Sequence, residues 1–479
     1  MNKLFLLFSL CPTFLSIIDA QDNALRVGIS CVDVSPTVFP IQLRSGKSNF
    51  VHDPLHVRAV AFEYREGRAV ICLIDAIGIG REMSDLAKSR AAEKTGWRME
   101  DMLICATHTH SAPKGGTGMP GREAYEKLKH QKLEEAIVQA IESLKPAKVG
   151  FSSEDEPSEV RNRRWFLQPG TMPPNPLGET DKVKTNAGRN HLVRPAGPVD
   201  PELCVIDVRN SRNKPLALIA NYALHYVGGV PQKVDDKGRE VGMASADYFG
   251  EFSRIMPYRI GGSNPSADFV AMMTNGASGD INNLVFTGTR APRSPFEQIR
   301  IVASTTADAA WRAVKKIETY DTKPVIATRQ RVVNLPYREP NEREIKLAED
   351  LLQRTRKERD AINSRSTSVA TRVIEFANPE HPRTEPVLIQ AFRISEQAMV
   401  SMPFEVLVEI GLEIKKKSPF KHTFLIELAN GSYGYLPPPN QHKLGGYETW
   451  LGTSRFQSQS SEILIKHLFE MLKDLKELE

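Results

Sequence analysis

The sequence predicts a mixed α/β fold, in which mixed β-sheets are flanked by helices and the active site lies at the ends of strands. Short apolar runs alternate along the 479 residues with longer amphipathic runs, which is typical of such a fold. Tight turns join some strands, as near Glu66-Gly67, whereas helices join others. Because parallel strands need long crossovers and antiparallel strands do not, the sheets should contain both kinds of pairing.

The first elements follow from these patterns in chain order. A hairpin is expected over residues 59–79, a helix over 81–96 and a buried strand over 102–107. A second helix is expected over 123–146, where Pro146 stops it. Its apolar residues share one face: Leu133, Ile137, Ala140, Ile141 and Leu144.

The later elements are read in the same way. Further strands are expected over residues 203–208, 216–224, 269–274, 387–394, 398–402 and 423–428. Further helices are expected over 296–318, 341–365 and 461–479, and the highly charged 341–365 helix should be a solvated flank. Residues 165–200 are rich in Pro, Gly and Asn, which favours a long surface loop or lid.

The bulk composition excludes several classes of protein. Of the 479 residues 41% are apolar and 25% are charged, and the formal net charge is only +5. These values are typical of a globular protein without disordered or low-complexity segments. Lysines and arginines are dispersed among nearly as many acidic residues, so nucleic acid is not an expected partner.

The N-terminal residues have a composition of their own. Lys3 precedes an apolar run from Leu4 to Ile18, and Ala20 comes directly before a polar stretch. This order is typical of a secretory signal peptide, and the run is short for a membrane span. We therefore expect residues 1–20 to be removed and the mature chain to be secreted or periplasmic, without a transmembrane segment. An uncleaved N-terminal anchor is the alternative.

Four cysteines follow this segment, namely Cys31, Cys72, Cys105 and Cys204. The last three lie in apolar, strand-like runs, which favours buried free thiols over a disulfide framework. None of the spacings is C-x-x-C, so we do not expect a zinc site made of thiolates.

Polar side chains follow the predicted strands at the points where those strands end. His108 and His110 follow the strand over 102–107, and His225 follows the strand over 216–224. Later strands lead in the same way to Asp280, Asn282, Glu405 and Tyr435. Because strand ends at one sheet edge lie close together and are held rigidly, they are a common place to assemble a site.

A zinc ion suits this set of side chains. Zinc takes nitrogen and oxygen ligands in roughly tetrahedral geometry, and a catalytic site keeps one position open for water. Two histidines and a glutamate would supply three ligands. A bound water would then lose its proton near neutral pH and could attack a carbonyl. The sequence therefore predicts one zinc ion per chain.

Each of these residues also has a simpler explanation. Histidines two apart often line one face of a strand, and His225 alone is typical of a hydrogen-bonded core histidine. Glu405 could be the first-turn acid of a following helix, where the helix dipole favours it. Tyr435 could be packed in its loop, and Asp280 could serve turn geometry only.

Several separated motifs together resemble one known family. The segment "ATHTHSAP" is similar to the "ATHTHSGPGG"-type signature of the neutral (alkaline, non-lysosomal) ceramidases. The segments "RVGISCVDVSP", "DPLHVRAV", "LIDAIGI", "NYALH", "NGASGDINN", "MPFE" and "ANGSYGYLPP…GGYE" resemble other parts of that family and occur in its order. The resemblance covers most of residues 25–455, and the agreement of many motifs in order is far more specific than any one of them.

The resemblance implies a metal site. Neutral ceramidases are zinc amidases that cleave the N-acyl bond of ceramide. By this resemblance the zinc ligands are His108, His225, Glu405 and Tyr435. Because tyrosine is an uncommon zinc ligand, Tyr435 could instead lie near the metal and hydrogen-bond the oxyanion.

The resemblance also implies catalytic residues around that metal. Hydrolysis of an amide needs an activated water, stabilisation of the oxyanion and a proton for the leaving nitrogen. His110 is similar to the family's histidine that faces the oxyanion or the leaving group, and Tyr447 is similar to its second active-site tyrosine. Arg163 matches the active-site arginine, with Arg161 and Arg164 as alternatives.

The sequence departs from the family at two points. The family has a serine in a G-D-x-S-P-N motif, and Asn282 stands at that position here. An amide side chain can donate to an oxyanion but cannot be a nucleophile, which excludes an acyl-serine there. The family also has an additional C-terminal β-sandwich domain, whereas we expect residues 21–479 to form a ceramidase-like catalytic domain without it.

These observations lead to a predicted function with two alternatives. The prediction is a secreted zinc-dependent amidohydrolase of lipid or sphingolipid metabolism. It would cleave an N-acyl amide or a related acyl bond in a small-molecule or lipid-like substrate. The first alternative is another metal-dependent hydrolase on the same scaffold, such as an esterase or a two-metal enzyme. The second is a non-catalytic binding homologue. The physiological substrate and the oligomeric state stay open at this point.

Overall fold

The computed structural model describes residues 24–234, 237–263, 266 and 268–478. Within these ranges the chain forms ten α-helices and 23 strands, which are arranged in seven sheets. The strands are β1 (Arg26–Asp33), β2 (Ile41–Leu43), β3 (Gly46–Ser48), β4 (His56–Tyr64), β5 (Gly67–Ile74), β6 (Met102–Ala106), β7 (Lys145–Asp155), β8 (Arg161–Asn162), β9 (Arg164–Leu167), β10 (Val183–Thr185), β11 (Leu192–Pro195), β12 (Glu202–Asn210), β13 (Pro215–Tyr222), β14 (Lys233–Val234), β15 (Glu240–Val241), β16 (Val270–Asn275), β17 (Ile281–Asn282), β18 (Ile326–Pro336), β19 (Thr384–Ile394), β20 (Gln397–Ser401), β21 (Glu405–Val406), β22 (His422–Ile426) and β23 (Tyr435–Leu436). The helices are α1 (Arg81–Thr95), α2 (Pro120–Glu142), α3 (Asp247–Gly261), α4 (Glu297–Lys315), α5 (Glu342–Gln353), α6 (Arg356–Ile362), α7 (Ser366–Ala377), α8 (Val408–Lys417), α9 (Pro439–His442) and α10 (Ser460–Lys476).

The largest sheet has eight strands in the order β16-β13-β12-β7-β1-β4-β5-β6. Its outermost pairs, β13–β16 and β5–β6, are parallel, and the other neighbours are antiparallel. At its centre β1 and β7 share only the pairs Arg26↔Pro146 and Val27↔Lys145. The sheet therefore consists of two four-stranded halves joined by a short contact, and its mixed pairing confirms the prediction.

A second sheet packs against the first. It has the order β18-β19-β20-β22, in which β20 and β22 are parallel. The core between the sheets contains Val60 and Phe62 from β4, and Phe392, Met399 and Phe424 from the second sheet. Burial of such apolar side chains, at about 25 cal/mol per Å², is what holds the sheets together.

Helices cover the outer faces of both sheets. The helices α1 and α2 pack on the half that contains β1, β4, β5 and β6, whereas α3 and α4 pack on the other half. The helices α8 and α10 cover the four-stranded sheet. The layer order is thus helix, sheet, sheet and helix, which confirms the predicted class of mixed sheets flanked by helices.

Strand β6 shows why the sequence revealed these buried strands. Its five residues are all buried. Leu103 and Cys105 lie in the core between the sheets, and Ile104 lies in the core beneath α1 and α2. A strand covered on both faces has a continuous apolar run rather than an alternating one. The strand ends at Ala106, directly before the two histidines.

The predicted helix over 341–365 is wrong as a single element. Helix α5 ends at Gln353, because Arg354 is extended with ψ 158°. The Thr355 side chain then caps α6 by accepting a hydrogen bond from the backbone N–H of Glu358. A threonine followed by a glutamate three residues later is a strong helix start, and here it competes with continuation of the previous helix. The segment is exposed, as expected of a solvated flank.

Two other boundaries differ from the predictions. The second helix runs over Pro120–Glu142 rather than 123–146. Pro146 does not stop it, because Pro146 already lies in β7 and pairs with β1. The predicted loop over 165–200 contains a three-stranded sheet in the order β10-β9-β11. Helices α3, α7 and α9 were not predicted, and neither were the long strands β7 and β18.

Other features of the described chain concern the cysteines and the membrane. Cys72, Cys105 and Cys204 are buried free thiols, as predicted, and Cys31 is free and exposed. Among the described residues no helix combines the length and the apolar character that a membrane crossing requires. The predicted signal peptide, residues 1–20, lies outside the described residues.

Candidate active site

The H-x-H segment begins where β6 leaves the sheet. The backbone N–H of Thr107 still donates to the carbonyl of Ile74 at 3.0 Å. His108 then adopts φ 65°, a left-handed conformation that costs a non-glycine residue on the order of 1 kcal/mol. Because of this turn the chain does not continue as a strand. The Nε2 atoms of His108 and His110 lie 3.1 Å apart.

Four side chains from distant parts of the sequence meet at this point. The Nε2 of His108 lies 3.1 Å from the Nε2 of His225. The Oε2 of Glu405 lies 3.4 Å from the first of these atoms and 3.5 Å from the second. The ring nitrogens of His108, His110 and His225 all lie within 4.8 Å of one another, so this histidine cluster could hold a metal ion.

The edges of the large sheet meet beside this cluster. Strands β6 and β16 are its two opposite edge strands. Nevertheless the Nδ2 of Asn275, at the end of β16, donates to the carbonyl of Thr107 at 3.0 Å. The strand ends that build the site therefore come from both edges of one sheet and from the second sheet, and not from a single sheet edge.

Hydrogen bonds fix the tautomers of His108 and His225. The Nδ1 of His108 faces the carbonyl of Ile77 at 2.5 Å, and that of His225 faces the carbonyl of Ser278 at 3.1 Å. A carbonyl only accepts, so each Nδ1 carries the proton and each Nε2 presents a lone pair. Two lone pairs facing each other at 3.1 Å repel unless a cation lies near them. This arrangement fits two histidine ligands of one metal ion.

Glu405 fits the same ion. Its Oε2 is buried and has no hydrogen-bond partner among the described residues. Burial would raise the pKa of Glu405, but His108, Tyr435 and Arg163 outweigh burial and hold the pKa below its ordinary value. The carboxyl is therefore ionised. A buried, ionised and unpartnered oxygen is costly unless a cation balances it.

His110 has the opposite tautomer. The NH1 group of Arg44 lies 2.9 Å from the Nδ1 of His110, and the ring stacks on Tyr226 with centroids 3.7 Å apart. A guanidinium only donates, so Nδ1 accepts and the proton of the neutral ring is on Nε2. Burial, helped by the neighbouring His108, Arg44 and Arg163, lowers the pKa of His110 to about 2, so the ring is neutral. His110 thus points an N–H toward the other two histidines.

A two-stranded sheet joins Glu405 to Tyr435. Strands β21 and β23 run parallel, and the residue directly opposite Glu405 is Tyr435. Helix α8 begins only at Val408, so the alternative that Glu405 is its first-turn acid is wrong. Burial, followed by the Glu405 charge, raises the pKa of Tyr435 well above its ordinary value.

Of the three candidate arginines, Arg163 is the one that contacts Tyr435. Its NH2 group lies 2.9 Å from the hydroxyl oxygen of Tyr435, and its Nε donates to the Oε1 of Glu448 at 2.9 Å. Arg164 is fully buried and donates to the Oε2 of Glu448 at 2.6 Å. Arg161 donates instead to the carbonyl of Ser158. Glu448 thus holds both buried arginines in place.

Tyr447 lies beside Tyr435, whereas Asn282 is engaged elsewhere. The rings of Tyr447 and Tyr435 meet edge to face with centroids 5.5 Å apart. The Nδ2 of Asn282 donates to the Oδ1 of Asn186 at 3.1 Å, and its Oδ1 accepts from the backbone N–H of Asn283 at 2.8 Å. Neither end of the Asn282 amide contacts the histidine cluster.

Asp280 serves the backbone rather than the cluster. Its Oδ1 accepts from the N–H of Val408 at 2.8 Å, and its Oδ2 accepts from the Nδ2 of Asn162 at 2.8 Å. It thereby connects the loop after β16 to the start of α8 and to β8.

Sequence reasoning missed several supporting residues. Glu427 is fully buried, and its Oε2 accepts from the N–H groups of Ser278 at 3.2 Å and Val406 at 2.8 Å. It ties the loop that orients His225 to the residue next to Glu405. The signal was present in the sequence, because an acid inside the apolar run "TFLIEL" must find buried partners. Arg44 and Glu448 gave no comparable local signal.

Comparisons with known proteins were made at the level of sequence and of structure. No family model and no curated protein matches the sequence. The fold is similar to that of the neutral ceramidase from Pseudomonas aeruginosa, with a TM-score of 0.69, 16% identity and coverage of 95% of this chain and 75% of that chain. It is also similar to a ceramidase complexed with C2, with a TM-score of 0.68, 16% identity and coverage of 95% of this chain and 76% of that chain.

These likenesses define the class of fold. A mixed α/β chain that superposes over 95% of its length on a neutral ceramidase has a neutral ceramidase-like fold. At 16% identity the chain is a divergent example of that fold. The structural likeness agrees with the resemblance that the sequence motifs indicated.

Proposed function

We propose that this protein is a zinc-dependent hydrolase that cleaves an N-acyl amide or a related acyl bond. One observation carries the proposal: the Nε2 atoms of His108 and His225 and the Oε2 of Glu405 converge within 3.5 Å of one another. All three atoms present lone pairs, and no donor of the described chain satisfies the carboxylate oxygen. The N–H of His110 lies 3.1 Å from one of these atoms, the Nε2 of His108, but the described chain offers no donor to the Oε2 of Glu405, so the set fits a divalent cation.

Zinc is the metal that this donor set suits. Two imidazole nitrogens and one carboxylate oxygen are a common ligand set for a catalytic zinc with an open position. Tyr435 would complete the set, either as a fourth ligand or as a hydrogen-bond donor to the oxyanion. The contact between Arg163 and the Tyr435 oxygen stabilises negative charge there, which favours ligation. When bound, zinc supplies an acidified water and a Lewis acid for the carbonyl.

His110 is proposed as the proton donor rather than as a ligand. Arg44 occupies Nδ1, so the N–H of Nε2 faces the site. It can donate to the oxyanion or to the leaving nitrogen, whose expulsion from an amide requires a proton. Tyr447 and Arg163 would stabilise the oxyanion by hydrogen bonding and charge. The neutral ring of His110 can hydrogen-bond the oxyanion as it is. To act as the acid for the leaving nitrogen, the ring must first take up the proton that the attacking water releases, because a neutral imidazole that gave up its own proton would become an imidazolate.

Water is the proposed nucleophile. Asn282 stands where a serine nucleophile would be, and an amide cannot form an acyl intermediate. Asn282 could donate to the oxyanion only by leaving Asn186, its present partner. The chemistry therefore depends on the metal-binding residues and His110.

The substrate proposal rests on the fold and on the donor arrangement. The solved structures with this fold are a neutral ceramidase and a ceramidase complexed with C2. We propose a lipid-like N-acyl substrate for this chain. The signal-like residues 1–20 support export to the periplasm or the exterior.

Metal analysis tests the proposal directly. The metal content of the purified protein is compared with that of His108→Ala and of a control, His467→Ala, whose histidine contacts Arg331 and Glu470 on the surface. We expect about one zinc per chain in the wild type and the control, the number that one site holds. The His108→Ala variant should lose most of it and should no longer hydrolyse N-acyl amides. Equal zinc in all three proteins would contradict the ligand assignment.

A further inference from the structure

Two arginines beside the site have no carboxylate partner. Arg44 reaches the Nδ1 of His110 at 2.9 Å, and the guanidinium carbon of Arg365 lies 5.5 Å from the centre of the Tyr447 ring. Both arginines are exposed, and neither forms an ion pair within the part of the chain that the structure describes. Arg163 differs, because Glu448 neutralises it.

The two arginines stand at the ends of one continuous series of contacts. Arg44 contacts His110, and His110 contacts His108. The series continues through Glu405 and Tyr435 to Tyr447 and Arg365. The two arginines therefore flank the row of proposed metal-binding and catalytic side chains.

Arginines outnumber carboxylates among the side chains of this series and the residues that hold Arg163. Two carboxylates, Glu405 and Glu448, face four arginines: Arg44, Arg163, Arg164 and Arg365. A divalent metal would increase the excess. A neutral substrate would gain no attraction from the positive charge of these arginines, whereas an anionic substrate would.

A pocket lies next to Tyr447, and Asn363 in its wall is close to Arg365 in the chain. Its volume is about 100 Å³, and its walls include Met172, Val183, Lys184, Asn363, Tyr447 and Trp450. The side-chain oxygen of Asn363 accepts from the backbone N–H of Arg365 at 3.0 Å, which places Arg365 at the rim.

The acid of this pocket does not neutralise Arg365. Asp181 lies in the wall, but its Oδ2 accepts from the N–H of Gly446 at 2.9 Å and from the indole of Trp450 at 2.8 Å. The rim cation thus remains available to a ligand.

We propose that the substrate carries an anionic group, a carboxylate or a sulfonate, close to the scissile bond, and that Arg365 binds it. This inference rests on the proposed function and narrows its substrate class to N-acyl compounds with an acidic headgroup. Arginine is suited to this task because its planar guanidinium binds such oxyanions in a bidentate manner. Arg365 is the specificity residue of the pair, since Arg44 also orients His110.

Three matched probes test the proposal. N-dodecanoylglycine carries a carboxylate, N-dodecanoyltaurine carries a sulfonate, and N-dodecanoylglycinamide is neutral. All three share the same acyl amide, and the sulfonate is a poor metal ligand, so it reports on the arginines rather than on the metal. Dissociation constants are measured by calorimetry and hydrolysis by release of the amine, on metal-loaded full-length protein. The variants are Arg365→Gln and a control, Arg356→Gln, whose arginine pairs on the surface with Asp360.

We expect both anionic probes to bind the wild type about tenfold or more tightly than the neutral probe, as one charge-assisted contact allows. Arg365→Gln should remove most of that preference, mainly through KM, and Arg356→Gln should not change it. Equal binding of the three probes, or a preference that Arg365→Gln leaves intact, would overturn the proposal. If the wild type binds the two anionic probes more tightly than the neutral one but hydrolyses none of the three, this inference is supported and the proposed amidase function is contradicted.

Discussion

Arg163 donates through its Nε to the Oε1 of Glu448 at 2.9 Å, and both side chains are buried. The same carboxylate binds Arg164, so one acid fixes two adjacent arginines whose charges would otherwise repel. The free NH2 group of Arg163 is thereby directed to the Tyr435 oxygen. This relationship makes Glu448 a positioning residue, although it touches neither the histidines nor the proposed metal.

Replacement of Glu448 should lower the rate of hydrolysis and leave the zinc content unchanged. In Glu448→Gln the buried arginines lose their counter-charge, which costs on the order of 3 kcal/mol of folding stability. We expect kcat to fall at least about tenfold as Arg163 loses its orientation, while zinc content stays unchanged. Glu179→Gln, which alters a surface pair with Arg343, is the control and should change neither quantity. A Glu448→Gln protein with unchanged kcat would refute the positioning role.

Glu405 should be required for metal affinity. In Glu405→Gln the ionised oxygen that faces His108 and His225 becomes a neutral amide, which is a weaker ligand for a divalent cation. We expect zinc affinity to fall by about a factor of 100 or more, measured by competition with a chelator. Glu413→Gln on the exposed face of α8, where Glu413 pairs with Lys417, is the matched control. Unchanged zinc affinity in Glu405→Gln would exclude this residue from the metal site.

His110 should behave differently from His108. Because its Nε2 carries the proton, His110→Ala should keep about one zinc per chain while kcat falls by about 10²–10⁴, the usual effect of losing a general acid. His108→Ala should lose the metal itself. The measurement is zinc content beside the rate of N-acyl amide hydrolysis for both variants. Loss of zinc in His110→Ala would show that the ring is a ligand and that the tautomer assignment is wrong.

A buried lysine away from the site should make stability depend on pH. Lys88 on α1 is only 1% exposed, and burial lowers its pKa from 10.5 to about 7. Between these values the unfolded chain binds a proton that the folded chain does not, so stability should rise with pH across this window. Below it, both states are protonated and the folded state carries the full cost of the buried charge.

Lys88→Met removes that cost. We expect the variant to be more stable than the wild type by on the order of 3 kcal/mol at pH 6, with the gain fading as pH rises toward 10. Urea unfolding at both pH values measures the difference. Lys94→Met on the same helix, where Lys94 is exposed, should show no such gain at pH 6. A gain of equal size at both pH values would mean that packing, and not charge, is responsible.

The buried strands and the main helices were predictable because their signals are local. Strand β6 is apolar over its whole length, and α1 ends at Gly96, whose φ of 72° favours glycine. The errors arose where two local signals compete. Thr355 with Glu358 starts a new helix inside a run that also has helical character. Residues 165–200 form strands whose pairing depends on partners that a loop-like composition conceals.

The candidate site was predictable only as a set of residue types. The sequence alone determined that histidines and acids follow apolar strands, and its motifs indicated which family to consider. Their convergence is a property of the tertiary structure. Strands β6 and β16 meet although they are opposite edges of one sheet, and the pairing of β21 with β23 sets Glu405 beside Tyr435. Local sequence left a helical turn at Glu405 open as an alternative. The tautomers of the histidines, and hence which of them can bind a metal, depend on contacts with Ile77, Ser278 and Arg44. Periodicity and composition record which face of an element is buried. Contacts between distant segments arise only when the sheets pack.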